Sequence, residues 1–171
     1  MRIPRHVRPA LLLVAAFAVS ACDDDDTSAP APERFTAQLA GSNEVPPVST
    51  AASGTATFTA LGDTAIAYEV TVTGLTGTTM GHIHAGAAGV NGGVLVWLLP
   101  PDGTAPQAPG PTVNGVLASG RIRASSIRGI GGAAPISLDS LKALLRSGNA
   151  YVNLHTQQFG GGELRGQVVR R

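Results

Sequence analysis

Cysteine, aromatic rings and charge are all scarce in this chain. A single cysteine, Cys22, stands among 171 residues and excludes an intrachain disulfide. Aromatic residues make up 4% and charged residues 13% of the sequence, and no basic patch is interleaved with aromatics, so no nucleic-acid partner is expected. The only long apolar run, Leu11–Ala21, is too short and wrongly flanked for a stable membrane span. Helical periodicity is nearly absent as well. What the chain has instead is 22 glycines and 12 prolines among Thr, Val and Ala, a composition that suits short strands joined by turns.

The N-terminus carries the clearest signal. Arg2, Arg5 and Arg8 precede the run LLLVAAFAVSA, as in a secretory signal peptide, and the junction VSAC resembles the lipobox of bacterial lipoproteins. The resemblance implies cleavage after residue 21 and acylation of Cys22, anchoring the chain to a membrane without spanning it. Localisation is then expected outside the cytoplasm, lipid-anchored, periplasmic or at the cell surface. Residues 22–33, CDDDDTSAPAPE, read as an acidic flexible tether. Asp23–Asp26 lack calcium-loop spacing and read as a solvated charge run. Loss of the leader arginines takes the basic count from 12 to 9 against 11 acidic residues, so the mature chain is slightly acidic.

From residue 34 to 171, period-two segments alternate with turn signals. RFTAQLA, GTATFTAL, TAIAYEVTVTG, MGHIHAG, GVLVWLL, GVLASGRIRA, AYVNLHT and GELRGQVVR predict about eight strands. In the third, Ile66, Tyr68, Val70 and Val72 share one face. The fold class expected is all-β, a Greek-key β-sandwich or barrel. One exception is SLDSLKALLRSG, where Leu138, Leu141, Leu144 and Leu145 share a helical face, Ser137 caps the start and Gly148 ends the last turn. This predicts one short helix before the penultimate strand. Leu98–Gly115, with five prolines and three glycines, reads as a loop, and NEVPPV as a rigid extended turn.

Three of the four histidines lie beyond the leader: His82 and His84 in GHIHAG, and His155 in YVNLHT. On a strand, residues two apart share a face, about 6.5–7 Å between Cα atoms, so His82 and His84 can meet one ion. Ile83, Val152 and Leu154 should face the core, which puts all three histidines on the opposite faces. Three imidazoles suit copper or zinc and leave a position open for water or substrate. The alternative is that they hydrogen-bond backbone groups and fix loops. Convergence requires the two strands to be neighbours.

Other groups invite weaker readings. Ser137, Asp139 and Ser140 open a helix, where capping accounts for them better than nucleophilic catalysis. Glu163 and Arg165 alternate on the last strand and are expected to pair at the surface. Glu44 and Glu163 form an acid/base pair only if the fold joins them. GVNGG and FGGGE lack a strand-to-helix context and read as turns. No catalytic residue is assigned.

Two resemblances extend this reading. The ordered blocks AGSNEVPPVST, GTATFTA, YEVTVTGL, GHIHAGAAGVNGGVLVWL, LRSGNAYVNLHT and GGELRGQV resemble the CHRD domain, named for chordin, from about Phe35 to Val169. This implies an extracytoplasmic β-sandwich acting as a binding or structural module toward an unidentified protein or surface, and it names no reaction. VTVTGLTGTTMGHIHAG followed by YVNLHTQQFGGGELRGQV is more faintly similar to copper/zinc superoxide dismutases. That similarity implies copper ligation by His82, His84 and His155, and hence an alternative function as a copper-dependent redox protein. No histidine between Ala85 and Ala150 matches that family's bridging or zinc ligands, its disulfide is missing, and Arg165 does not align securely with its active-site arginine.

Overall fold

Alternating apolar residues become strands because every second side chain reaches one interior. The computed structural model describes residues 31–171 except Asp102 and Thr104; the leader, Cys22 and the tether up to Pro30 lie outside the described residues. The strands are β1 (Arg34–Ala40), β2 (Ser53–Leu61), β3 (Ala65–Leu75), β4 (Thr78–Ala85), β5 (Val94–Leu99), β6 (Val113–Ile122), β7 (Ala150–Thr156), β8 (Leu164–Gln167) and β9 (Val169–Arg170). Helix α1 (Leu138–Arg146) stands immediately before β7. The expected last strand is interrupted at Val168, whose side chain turns into the core and splits β8 from β9.

Neighbouring strands run in the order β5-β4-β7-β8-β1-β2-β3-β6, with β9 beside β1, and the pairs are antiparallel. A bridge between Val96 of β5 and Ile127, just beyond β6, brings the two ends together. Of the two arrangements expected, the sheet therefore takes the nearly closed barrel, which leaves little free edge. Around this ring the β3–β4 and β6–β7 connections each skip two strands, giving the Greek-key character.

Phe35, Leu39, Phe58, Ile66, Ile83, Ile122 and Leu154 are all at most 2% exposed inside the barrel. The face chosen for β3 is the buried one: Ile66, Tyr68, Val70 and Val72 point in, whereas Glu69 and Thr73 are exposed. Ser137 Oγ accepts the Ser140 N–H at 3.0 Å, as a helix cap should. Leu138, Leu141 and Leu145 of α1 join the same core, and Leu144 packs at its margin. Gly148, with φ +67°, ends the helix in the left-handed conformation that a side chain disfavours.

The register that positions the functional side chains is that of β4 with β7. Ile83 lies opposite Val152 and Gly81 opposite Leu154, so these apolar residues face inward together. Met80–His155, His82–Asn153 and His84–Tyr151 are then cross-strand pairs on the other face.

Candidate metal centre

The strand alternation places all three histidines opposite the core, but that face is not open to water. His82 is 3% and His155 8% exposed, and His84 is half-buried. Turns on either side fold over the strands. His84 Nδ1 donates to the carbonyl of Gly92 at 2.9 Å, and His155 Nδ1 donates to that of Gly160 at 3.0 Å. A carbonyl can only accept, so each of these rings carries its proton on Nδ1 and a free lone pair on Nε2.

The tautomer of His82 follows from its neighbour. Its Nδ1 lies 3.3 Å from the lone pair of His155 Nε2 and so donates to it. His82 Nε2 and His84 Nε2 are both buried with no hydrogen-bond partner among the described residues. An unsatisfied buried polar atom costs about 1–3 kcal/mol, and such atoms call for a reason. One donor atom from each histidine falls in a set whose members lie within 4.8 Å of one another. Two imidazole nitrogens bound at about 2.05 Å with a tetrahedral angle stand about 3.3 Å apart, the separation already present between His82 and His155. Ring–ring bonding and a shared ion are alternatives, because one lone pair cannot serve both.

Electrostatics hold the set neutral. Burial, followed by the neighbouring His155 and His84, pushes the His82 pKa down to about 3. Burial also lowers His84 and His155, opposed in each by the bond to a backbone carbonyl. Neutral imidazole is the ligating form, so these shifts favour metal uptake at neutral pH. The loop-fixing and metal-binding readings of the histidines are compatible: Nδ1 of His84 and His155 fixes a turn while Nε2 keeps the lone pair that an ion needs. This is the outer-shell pattern that orients metal ligands.

A pocket of about 160 Å³ opens on the cluster, lined by His84, His155, Glu44, Tyr151, Asn153 and Arg165 among others. Glu44, 7% exposed, accepts a hydrogen bond from Asn153 Nδ2. Its carboxyl is pushed up to about 7 by burial, against the opposing influence of Arg165, the Val45 backbone and Asn153. The strand alternation sets Tyr151 and Asn153 on the face of His155, opposite Val152 and Leu154, but nothing in the sequence marks either as a site residue.

The remaining expectations fare differently. Ser137 caps α1, as its position suggested. Glu163 and Arg165 do not pair at the surface: they are 6% and 2% exposed. Glu163 accepts from Thr50 Oγ1 and Thr156 Oγ1, each at 2.7 Å, and the covering turns bury a face that the strand pattern alone would leave wet. Glu44 and Glu163 form no acid/base couple, since each carboxylate is committed to its own partners.

Residues 35–168 match the family model of the CHRD domain. The chain belongs to the CHRD-domain family. No curated protein and no solved structure matches it. Within this CHRD domain the blocks NEVPPV, GHIHAGAAGVNGG, YVNLHT and GELRG, far apart in sequence, meet at one place: Asn91 Nδ2 donates to Val45 O at 3.1 Å, Asn153 binds Glu44, and Asn43 Nδ2 donates to Arg165 O at 3.1 Å. These four blocks and the histidine cluster are therefore parts of one assembly.

Proposed function

We propose that this CHRD domain is a binding module whose ligand is a single transition-metal ion held by His82, His84 and His155. The observation that carries the reading is the convergence of one donor atom from each histidine within 4.8 Å, with His84 Nε2 buried and partnerless among the described residues. Copper and zinc both suit neutral imidazole, and copper(II) is the tighter of the two by the usual order of divalent affinities. An ion there would act as a Lewis acid toward whatever enters the pocket, or as a one-electron centre if it is copper. The protein's own part is to keep three rings neutral, aligned and nearly dry.

Trp97 supplies the readout. It is the sole tryptophan, and its ring meets that of His82 edge-on with centroids 4.3 Å apart. Titrating metal-free chain with copper(II) should quench its fluorescence at about one ion per chain. His82→Ala and His155→Ala should each abolish tight binding. Failure of the wild-type chain to bind near one equivalent, or indifference to both substitutions, would remove the metal reading.

A redox reading of the same site is favoured by one observation: the pocket reaches His84 and His155 and contains a carboxyl, Glu44, poised near neutrality to exchange protons. A superoxide-consumption assay on the copper-loaded chain decides it, with activity no greater than that of free copper excluding it. The lipobox-like junction supports placing the module outside the cytoplasm on an acyl chain at Cys22. Cys22→Ser should then move the protein from the membrane to the soluble fraction, and unchanged membrane association would refute the anchor.

A further inference from the structure

We infer that Arg165 is the positioning residue of the histidine site, holding His84 in its ligating orientation through Tyr151 and through the 90–92 turn. It rests on the three histidines being metal ligands. Arg165 is 2% exposed, and no carboxylate among the described residues lies within salt-bridge distance of it. A buried guanidinium without an ion pair is costly and calls for a compensating role. Its contacts all lead to one place.

The first route is a stack. The guanidinium carbon lies 3.5 Å from the centroid of the Tyr151 ring, and the Tyr151 ring lies nearly parallel to that of His84, 8° between planes with centroids 4.8 Å apart. Strand β7 lies between β4 and β8, so the phenol is held between the imidazole on one side and the guanidinium on the other. Cation–π attraction fixes the phenol, and the phenol fixes the plane of the imidazole.

The second route is the turn. Arg165 Nη2 donates to Val90 O at 2.6 Å and Nη1 to Asn91 Oδ1 at 2.7 Å. The next residue, Gly92, donates its N–H to Tyr151 Oη at 3.0 Å and accepts from His84 Nδ1. A Cβ at Gly92 would fall 1.5 Å from Ala85 O, so the turn is pressed against β4. Arg165 thus fixes both the carbonyl that selects the His84 tautomer and the ring that sets its plane. A lysine offers one compact charge and cannot reproduce a planar, forked hold of this kind.

The test uses the full chain, metal-free and then loaded. Long-range ¹H–¹⁵N NMR of the imidazoles near neutral pH should show His84 as the Nδ1–H tautomer in the wild type and a mixture of tautomers in Arg165→Lys. Zinc affinity of Arg165→Lys should fall about 10- to 100-fold, the range seen when outer-shell partners of ligands are lost. Lys142→Met, which removes a buried ammonium bonded to Asp63 and Asp139 on α1, should lower stability while leaving the His84 spectrum and zinc affinity unchanged. If Arg165→Lys does not fold, Tyr151→Phe, which keeps the ring and deletes the bond to Gly92, should give the same mixing of tautomers. A wild-type His84 spectrum in Arg165→Lys or, if that variant is unfolded, in Tyr151→Phe, or an equal change in Lys142→Met, overturns the inference. If the wild type binds no zinc, the metal reading falls alone, because the tautomer spectrum still decides the role of Arg165.

Discussion

Single ionisable residues give this domain opposing responses to acid. The histidines have folded pKa values below the unfolded value near 6.5, so the unfolded chain binds protons that the folded one refuses. Their contribution to stability is present above that value and is lost as pH falls below it, for His82 down to its folded value of about 3, at up to ~1.4 kcal/mol per pH unit for a ring. Glu44 behaves in the other sense. With a folded pKa near 7 against 4.5, it holds a proton that the unfolded chain has released, so its contribution is present below 4.5 and lost as pH rises to 7. Glu44→Gln removes that loss while keeping an oxygen to accept from Asn153. Relative to wild type, the variant should therefore gain roughly 1–3 kcal/mol between pH 4.5 and pH 8, as read from urea unfolding at both. A difference that does not change with pH would show that Glu44 is not held protonated by burial.

At the scale of elements, local pattern was enough to locate strands and not enough to join them. Ile83, Val152 and Leu154 could be placed inward because period two is a property of each strand by itself, and all three are core residues. The four leucines of α1 and its Ser137 cap were readable for the same reason. The β4–β7 pairing was not, since a chain excursion from Ala85 to Ala150 carries no local trace of where it returns. Burial of the histidine face was also hidden. It depends on the 86–93 and 157–163 turns lying across the sheet, fixed by bonds such as His155 to Gly160 and Arg165 to Val90, which no periodicity encodes. The same omission made Glu163 and Arg165 look like a surface pair. Their alternation was read correctly, but the layer above them was missing.

On the scale of the whole molecule, an ion at His82, His84 and His155 would tie together strands that only the completed barrel brings side by side. The unfolded chain lacks that convergence, so the ion binds the native state and stabilises it by mass action. At a hundredfold excess of free metal over the dissociation constant the gain is about 2.7 kcal/mol. For a domain of this size, with 1 kcal/mol worth about 2–4 °C, the melting temperature should rise by roughly 5–10 °C in calorimetry with zinc against the same sample with chelator. His155→Ala should melt at one temperature in both conditions. Lys142→Met should melt lower than wild type yet keep the full metal-dependent rise, because α1 and the histidine cluster share no side-chain bonds and distant effects add. A wild-type melt unmoved by metal, or an equal rise in His155→Ala, would mean that the barrel closes around these rings for packing alone.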